Sequence, residues 1–265
     1  MCVSCTIADL QESKSNAFDA WLHLTCIGNK VKLDLPIKFH KHYNKLNEQG
    51  KRLNAYIITQ NYVQFCFEIE TGDKKEVKKV LGVDTGINAL ASTSDGKQYG
   101  TDIKGCIERI KRCKHGSKGH KRASNALRQR IDEVAKEVVG STDLIVVEKL
   151  KNMNNNTKLK GRLSRNIRSS IGSWNYAYWL ERLLFNCEIN RVSFRSVVPY
   201  YTSQHCPTCG HTDRMNRRGE VFQCQKCDQT GNADKIAAWN ILQRFILGIY
   251  GSQYKSLIPT TCNFL

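Results

Sequence analysis

The 265-residue sequence contains no run of 18 or more apolar residues, so no segment reads as a membrane-spanning helix. Met1–Asp9 has neither a basic start nor an apolar core, which predicts no secretory leader and an intracellular, cytoplasmic location. No internal repeat is visible. Acidic residues are scarce beside basic ones: 24 Asp and Glu against 41 Lys and Arg, a formal net charge of +17. A surplus of that size points to a polyanionic partner, most often nucleic acid, with a merely solvated basic surface as the alternative. Hydrophobic residues make up 40%, enough at this length for a core without disulfide staples.

Twelve cysteines are many for a reducing compartment. Four of them form Cys206-Pro-Thr-Cys209 and Cys224-Gln-Lys-Cys227, separated by fourteen residues. Each C-x-x-C aims two sulfurs at one point, and two such knuckles complete a closed tetrahedral four-cysteine site for structural zinc. Gly210 follows the first knuckle, where positive φ is often required. Cys2 and Cys5 lack a second pair and read as a disordered terminus.

The chain changes texture along its length. Trp21–Cys26, Lys30–Leu35, Asn54–Thr59 and Tyr62–Ile69 alternate and are separated by polar residues, which predicts a small antiparallel β unit. The charged run Thr71–Lys79 reads as a linker. Val80–Asp84 and Asp143–Glu148 are compact apolar strands, each ending in an acid, and Asp95-Gly96 marks a hairpin. Leu127, Ile131, Val134, Ala135 and Val138 fall at helical spacing. Two helices fit the region up to Gly140, broken near His115–His120. Further helices are expected over Trp174–Asn186 and Ala233–Phe245, with a strand at Asn190–Pro199. Trp174, Tyr176, Tyr178 and Trp179 crowd one helix, and core packing is favoured over base stacking for them. Tyr200, Tyr201 and Gln204 precede the knuckle and are candidates for DNA contact. The coarse fold class is α/β with a β appendage in front.

Asp84, Glu148 and Asp234 each stand at the end of an element, where active-site groups are commonly displayed. Three acids brought together repel unless cations neutralise them, and Mg²⁺ prefers such oxygen ligands. Spacing alone does not bring the three together, and for any one of them a solvated acid is the simpler reading. Residues 104–136 hold eleven Lys and Arg against three acids, and residues 149–168 hold seven and none. Lys111, Arg112, Lys114, Lys118, Lys121 and Arg122 in the first segment are expected to meet phosphate backbone. So are Lys158, Lys160, Arg162, Arg165 and Arg168 in the second.

Leu81–Lys97 (LGVDTGINALASTSDGK), Leu144–Leu150 (LIVVEKL), Tyr201–Gly210 (YTSQHCPTCG), Phe222–Cys227 (FQCQKC) and Asn232–Leu242 (NADKIAAWNIL) resemble the C-terminal half of the TnpB family. These are the RNA-guided nucleases of insertion sequences, related to type V CRISPR effectors. The resemblance runs over about residues 30–245 and includes the order of the motifs. It implies an RNase H-like (RuvC) nuclease domain with an inserted four-cysteine zinc ribbon, preceded by a small antiparallel wedge-like β unit. The implied domains are 1–79 (partial wedge), 80–205 (first part of the nuclease), 206–230 (zinc ribbon) and 231–265 (final helix and tail). Asp84, Glu148 and Asp234 then match the catalytic acids, holding two Mg²⁺ for phosphodiester hydrolysis. Cys206, Cys209, Cys224 and Cys227 hold zinc, and guide RNA and target DNA are the partners. The second basic segment becomes a lid over the cleft.

The match departs in three places. Ile236 stands where the family has Asn. Gly231-Asn232-Ala233 replaces a region where a charged pair is common. The length also leaves no room for the family's N-terminal recognition segment, which implies a truncated copy or reliance on self-association or a partner. The alternatives are an inactive, repressor-like RNA-guided DNA-binding protein and a truncated transposon gene product.

Overall fold

The computed structural model describes residues 2–4 (backbone only), 8–14, 17–25, 32–149 and 176–248. The Lys151–Arg168 segment with its five candidate phosphate contacts, Trp174, Cys5 and the tail after Gly248 lie outside the described residues. The chain divides into two compact units, Met1–Thr71 and Gly72–Leu265.

The first unit holds two antiparallel three-stranded sheets. One pairs β2 (Ala8–Glu12), β3 (Ala20–Thr25) and β4 (Lys32–Ile37). The other pairs β1 (Cys2–Ser4), β5 (Lys51–Ile58) and β6 (Val63–Glu68). Ala8, Leu22 and Tyr56 are its buried centre. The backbone of Cys2–Ser4 is thus a strand paired with β5, not a disordered end. Helix α1 (Lys41–Gln49) was not foreseen. None of its residues is buried, and Tyr43, stacked on Phe39 at 3.9 Å, ties it to the sheet.

The second unit starts eight residues before Val80. The run after Thr71 is held rather than free: Lys75 N–H donates to Arg191 O at 2.8 Å, and the Lys78 and Lys79 amides donate to Asp143 at 3.2 and 3.0 Å. Its centre is a five-stranded sheet in the order β11-β10-β7-β8-β9. These strands are β7 (Val80–Asp84), β8 (Ala91–Thr93), β9 (Gln98–Tyr99), β10 (Leu144–Glu148) and β11 (Ser193–Val197). β7, β8 and β9 form an antiparallel meander, while β10 runs parallel to both β7 and β11.

β7 and β10 read as unbroken apolar runs because the sheet is covered on both faces. Side chains alternate across it. Leu81, Val83, Ile145 and Val147 face one cluster, completed by α2 (Ile103–Arg112), α3 (Lys118–Gly140) and α4 (Tyr176–Ile189). The whole predicted α3 stripe from Leu127 to Val138 is buried there. Trp179 is buried and Tyr176 and Tyr178 pack beside it, whereas Leu184 points to solvent at 43% exposure. Val80, Leu144 and Val146 face the second cluster, against Trp239, Ile241, Leu242, Phe245 and Ile246 of α5 (Ala233–Gly248).

Gly82 sets how closely α5 approaches β7. A Cβ there would lie 2.3 Å from Ala238 O and 2.9 Å from Leu242 N, both backbone atoms that cannot swing aside. Gly82→Ala is therefore expected to destabilise the second unit by about 2–3 kcal/mol, read as a shifted urea midpoint. An unchanged midpoint would contradict this packing.

The cysteine-knuckle segment ends in the small antiparallel sheet β12 (Arg217–Arg218), β13 (Val221–Gln223) and β14 (Thr230–Asn232). Asn232 then caps α5. Its Oδ1 accepts from the Asp234 and Lys235 amides at 3.1 Å each, satisfying free donors of the first turn. Ile236 is fully buried with Phe222, Cys206 and Cys224, so the apolar departure from the family pattern packs the helix onto this segment.

Candidate active site and metal centre

The same alternation brings the acids together. Val80, Gly82 and Asp84 share one parity in β7, as do Leu144, Val146 and Glu148 in β10, and Val83 lies beside Val147 in parallel register. Asp84 and Glu148 therefore emerge side by side at the carboxyl ends of adjacent strands, on the α5 face. Crevices at the carboxyl ends of strands are where open α/β sheets bind ligands. Asp234 sits in the first turn of α5, over that edge. All three line one cavity of about 380 Å³, together with Thr85–Asn88, Pro199, Tyr201–Gln204 and Arg217.

The electrostatics show the crowding. Burial, then the Glu148 and Asp234 charges, hold the Asp84 carboxyl well above the usual carboxylate range, against the opposing pull of Arg217. Burial also raises Glu148, while the Thr202 hydroxyl and the Arg244 and Arg217 cations oppose it. Thr202 Oγ1 donates a hydrogen bond to Glu148 Oε1. Asp234 is neutralised by Arg217, whose Nη2 lies 2.7 Å from Oδ1.

Arg217 was not foreseen, because a single arginine in a chain with 41 basic residues carries no spacing signal. Of the aromatic candidates and their neighbour, Tyr201 and Gln204 line the cavity, and Tyr200 is 69% exposed. Lys111, Arg112, Lys114, Lys118, Lys121 and Arg122 lie around the α2–α3 corner, all exposed.

The four paired cysteines form the second cluster. Their Sγ atoms all lie within 4.8 Å of one another, with Cys206–Cys227 and Cys209–Cys224 at 3.6 Å. Zn–S bonds of about 2.3 Å in a tetrahedron place sulfurs about 3.8 Å apart, so the set fits a zinc ion. Gly210 has φ +73° and donates to Cys206 O at 3.0 Å, closing the first knuckle. Asn216, fully buried and also unforeseen, ties the two knuckles. Its Nδ2 donates to Gln204 O at 2.8 Å and its Oδ1 accepts from Gln225 N–H at 2.9 Å. Among the described residues the carboxylates form no cluster closed as tightly as these sulfurs.

An acid-lined crevice on a mixed α/β sheet beside a pair of cysteine knuckles defines the class of site. Comparison with known proteins narrows it. Residues 176–241 match the family model "Cas12f1-like, TNB domain". The chain is 30% identical over 196 residues to "Putative RNA-guided DNA endonuclease InsQ" of Escherichia coli (strain K12), covering 62% of this chain and 48% of that protein. It is 35% identical over 72 residues to "CRISPR-associated endodeoxyribonuclease Cas12f1" of Sulfoacidibacillus thermotolerans, 27% of this chain and 17% of that one. Among solved structures, the Cas12f1–sgRNA–target DNA complex shares the fold with TM-score 0.51 at 16% identity, over 89% of this chain and 58% of that chain. The resemblance to TnpB-type proteins read from the motifs is thus matched by relatives of that kind. The chain spans about half the length of InsQ and a smaller share of Cas12f1.

Proposed function

We propose that the protein is an RNA-guided, Mg²⁺-dependent DNA endonuclease of the TnpB type, encoded by a transposable element, with an RNase H-like (RuvC) domain and a structural zinc ribbon. One observation carries this reading: Asp84, Glu148 and Asp234, 150 positions apart at the extremes, line a single cavity. The mixed sheet and the named activities of InsQ and Cas12f1 support it.

Held by these carboxylates, two divalent cations would activate water and stabilise the leaving oxygen of a phosphodiester. A set of acids spread around a cleft suits two ions about 3.5–4 Å apart better than one. The chain's own part is to hold the acids close together, with burial raising the Asp84 and Glu148 carboxyls above their ordinary range when no cation is present. Arg217 offsets Asp234 and is within reach of the cleft to meet a phosphate oxygen. Tyr201 offers an exposed ring at its wall for a nucleobase. The ribbon, closed by four sulfurs, supports Asp234 and Arg217 without taking part in chemistry.

The test uses RNA that co-purifies with the expressed chain, sequenced and resynthesised, with complementary duplex DNA and Mg²⁺. Cleavage that EDTA stops is the expected result. Tight RNA-dependent DNA binding without cutting would instead favour the repressor-like reading.

The exposed basic residues of the α2–α3 corner give a second expectation. Lys121→Gln and Arg122→Gln together should lower the salt slope of nucleic-acid binding by about 1–2, measured by fluorescence anisotropy over a salt series. An unchanged slope would make this corner an ordinary solvated face.

A further inference from the structure

Pro199 and Tyr201–Gln204 line one wall of the cleft, and α5 grips the segment that carries them, from Val198 to His205, at three points. Arg244 Nη1 donates to Val198 O at 2.6 Å. Asn240 Nδ2 donates to Thr202 O and to His205 O, both at 2.7 Å. Those two bonds use both hydrogens of the amide. Asn240 is 4% exposed and sits among Trp239, Ile241 and Leu242. An apolar side chain would fill that seam without a desolvation cost, so the amide is explained by what it holds.

The loop it holds is strained. Tyr201 has φ +58°, a left-handed conformation uncommon for a non-glycine residue, and its carbonyl accepts from the Gln204 and His205 amides at 3.0 Å each. Such a conformation persists only where its surroundings over-determine it. What it delivers is the Thr202 hydroxyl, onto Glu148 Oε1.

We infer that Thr202 and Asn240 are positioning residues for Glu148. Thr202 occupies one carboxylate oxygen and leaves the other as the one that would ligate a cation, and Asn240 fixes the loop that presents Thr202. Helix α5 thereby places two acids at once: Asp234 directly, and Glu148 through this clamp. Because Asn240 also holds His205, the residue before Cys206, the clamp joins the cleft wall to the first zinc knuckle. This assignment rests on the nuclease reading above. It adds how Glu148 is aimed, using residues outside the three acids and the four cysteines.

The test is Mn²⁺ binding to the zinc-loaded full chain, followed by electron paramagnetic resonance, with cleavage kinetics as a second readout. Thr202→Val keeps the shape and removes the hydroxyl. It should weaken Mn²⁺ binding about 10–100-fold and lower kcat, while KM for DNA and the zinc content stay as in the parent. Thr202→Ser restores the hydroxyl and should recover most of the loss. Asn240→Asp cannot donate to either carbonyl and should act in the same direction as Thr202→Val. If it fails to fold, the two Thr202 variants decide the matter alone. A parent that binds Mn²⁺ and a Thr202→Val variant that binds it equally well would overturn the clamp and leave the nuclease reading intact. A parent that binds no Mn²⁺ outside the cysteine site would overturn both.

Discussion

Asp84→Asn is expected to abolish cleavage while making the metal-free protein more stable. The first effect should exceed the roughly 100-fold ceiling typical of residues that act behind a metal ligand, because Asp84 would be a ligand itself. The second follows from its surroundings. Burial first, then Glu148 and Asp234, hold the carboxyl well above its usual range. In the unfolded chain it ionises near pH ~4. Between that pH and the raised folded value, the folded state binds the extra proton, so stability in EDTA falls as pH rises through the window. Asparagine has no proton to lose and gains no charge as the pH rises. The variant should therefore melt higher than the parent in EDTA at neutral pH, with a flatter pH dependence, by differential scanning calorimetry. A surface acid without a metal role would leave activity intact, and a simple structural acid would lower activity and stability together. Unchanged cleavage rejects the assignment.

On the proposed reading, removing zinc is expected to cost the second unit the order of its cysteine-knuckle segment and, with it, cleavage. The buried apolar side chains of that segment are Cys206, Phe222 and Cys224, resting on Ala233 and Ile236 of α5. So few side chains cannot order it unaided. In small zinc modules metal binding supplies about 10–16 kcal/mol of apparent folding free energy. Ala233 and Ile236 flank Asp234, and Arg217 comes from the cysteine-knuckle segment, so the loss of its order reaches the cleft. Cys206→Ser or Cys224→Ser should lower bound zinc from about one per chain to near zero. The melting temperature should fall by roughly 10 °C or more, and cleavage should be lost. Zinc content by plasma mass spectrometry beside calorimetry checks this. A parent without zinc and with the same melting curve as the serine variants would contradict it.

What could be read before the structure was what leaves a spacing signal. The two C-x-x-C pairs fix where sulfurs point within a few residues, and the acids stood out because each stands at an element's end. Their convergence was legible in part. Counting back by twos from Asp84 and Glu148 reaches Val80 and Leu144, which puts both acids on one face if the strands pair in register. That pairing joins residues 64 positions apart, and no local pattern encodes it. Helix α1 escaped notice because its sequence, KHYNKLNEQ, carries no apolar stripe and buries no side chain. β2 was missed for a related reason: in ADLQE only Ala8 is buried. Arg217, Asn216, Thr202 and Asn240 hold the site through single polar contacts with residues distant in sequence. Such contacts have no period and no motif, so only the folded chain shows them. The charged run after Thr71 falls within the second compact unit, where the Lys78 and Lys79 amides bond Asp143, contacts that no charge pattern signals.

The most direct test of the central claim is anomalous diffraction from crystals of the full chain grown with Mn²⁺. Strong manganese peaks bounded by the carboxylates of positions 84, 148 and 234, with a separate zinc peak among the four sulfurs, are the expected result. Manganese absent from the crevice while zinc fills the cysteine site would contradict the account, leaving a zinc-supported nucleic-acid binder without hydrolytic chemistry.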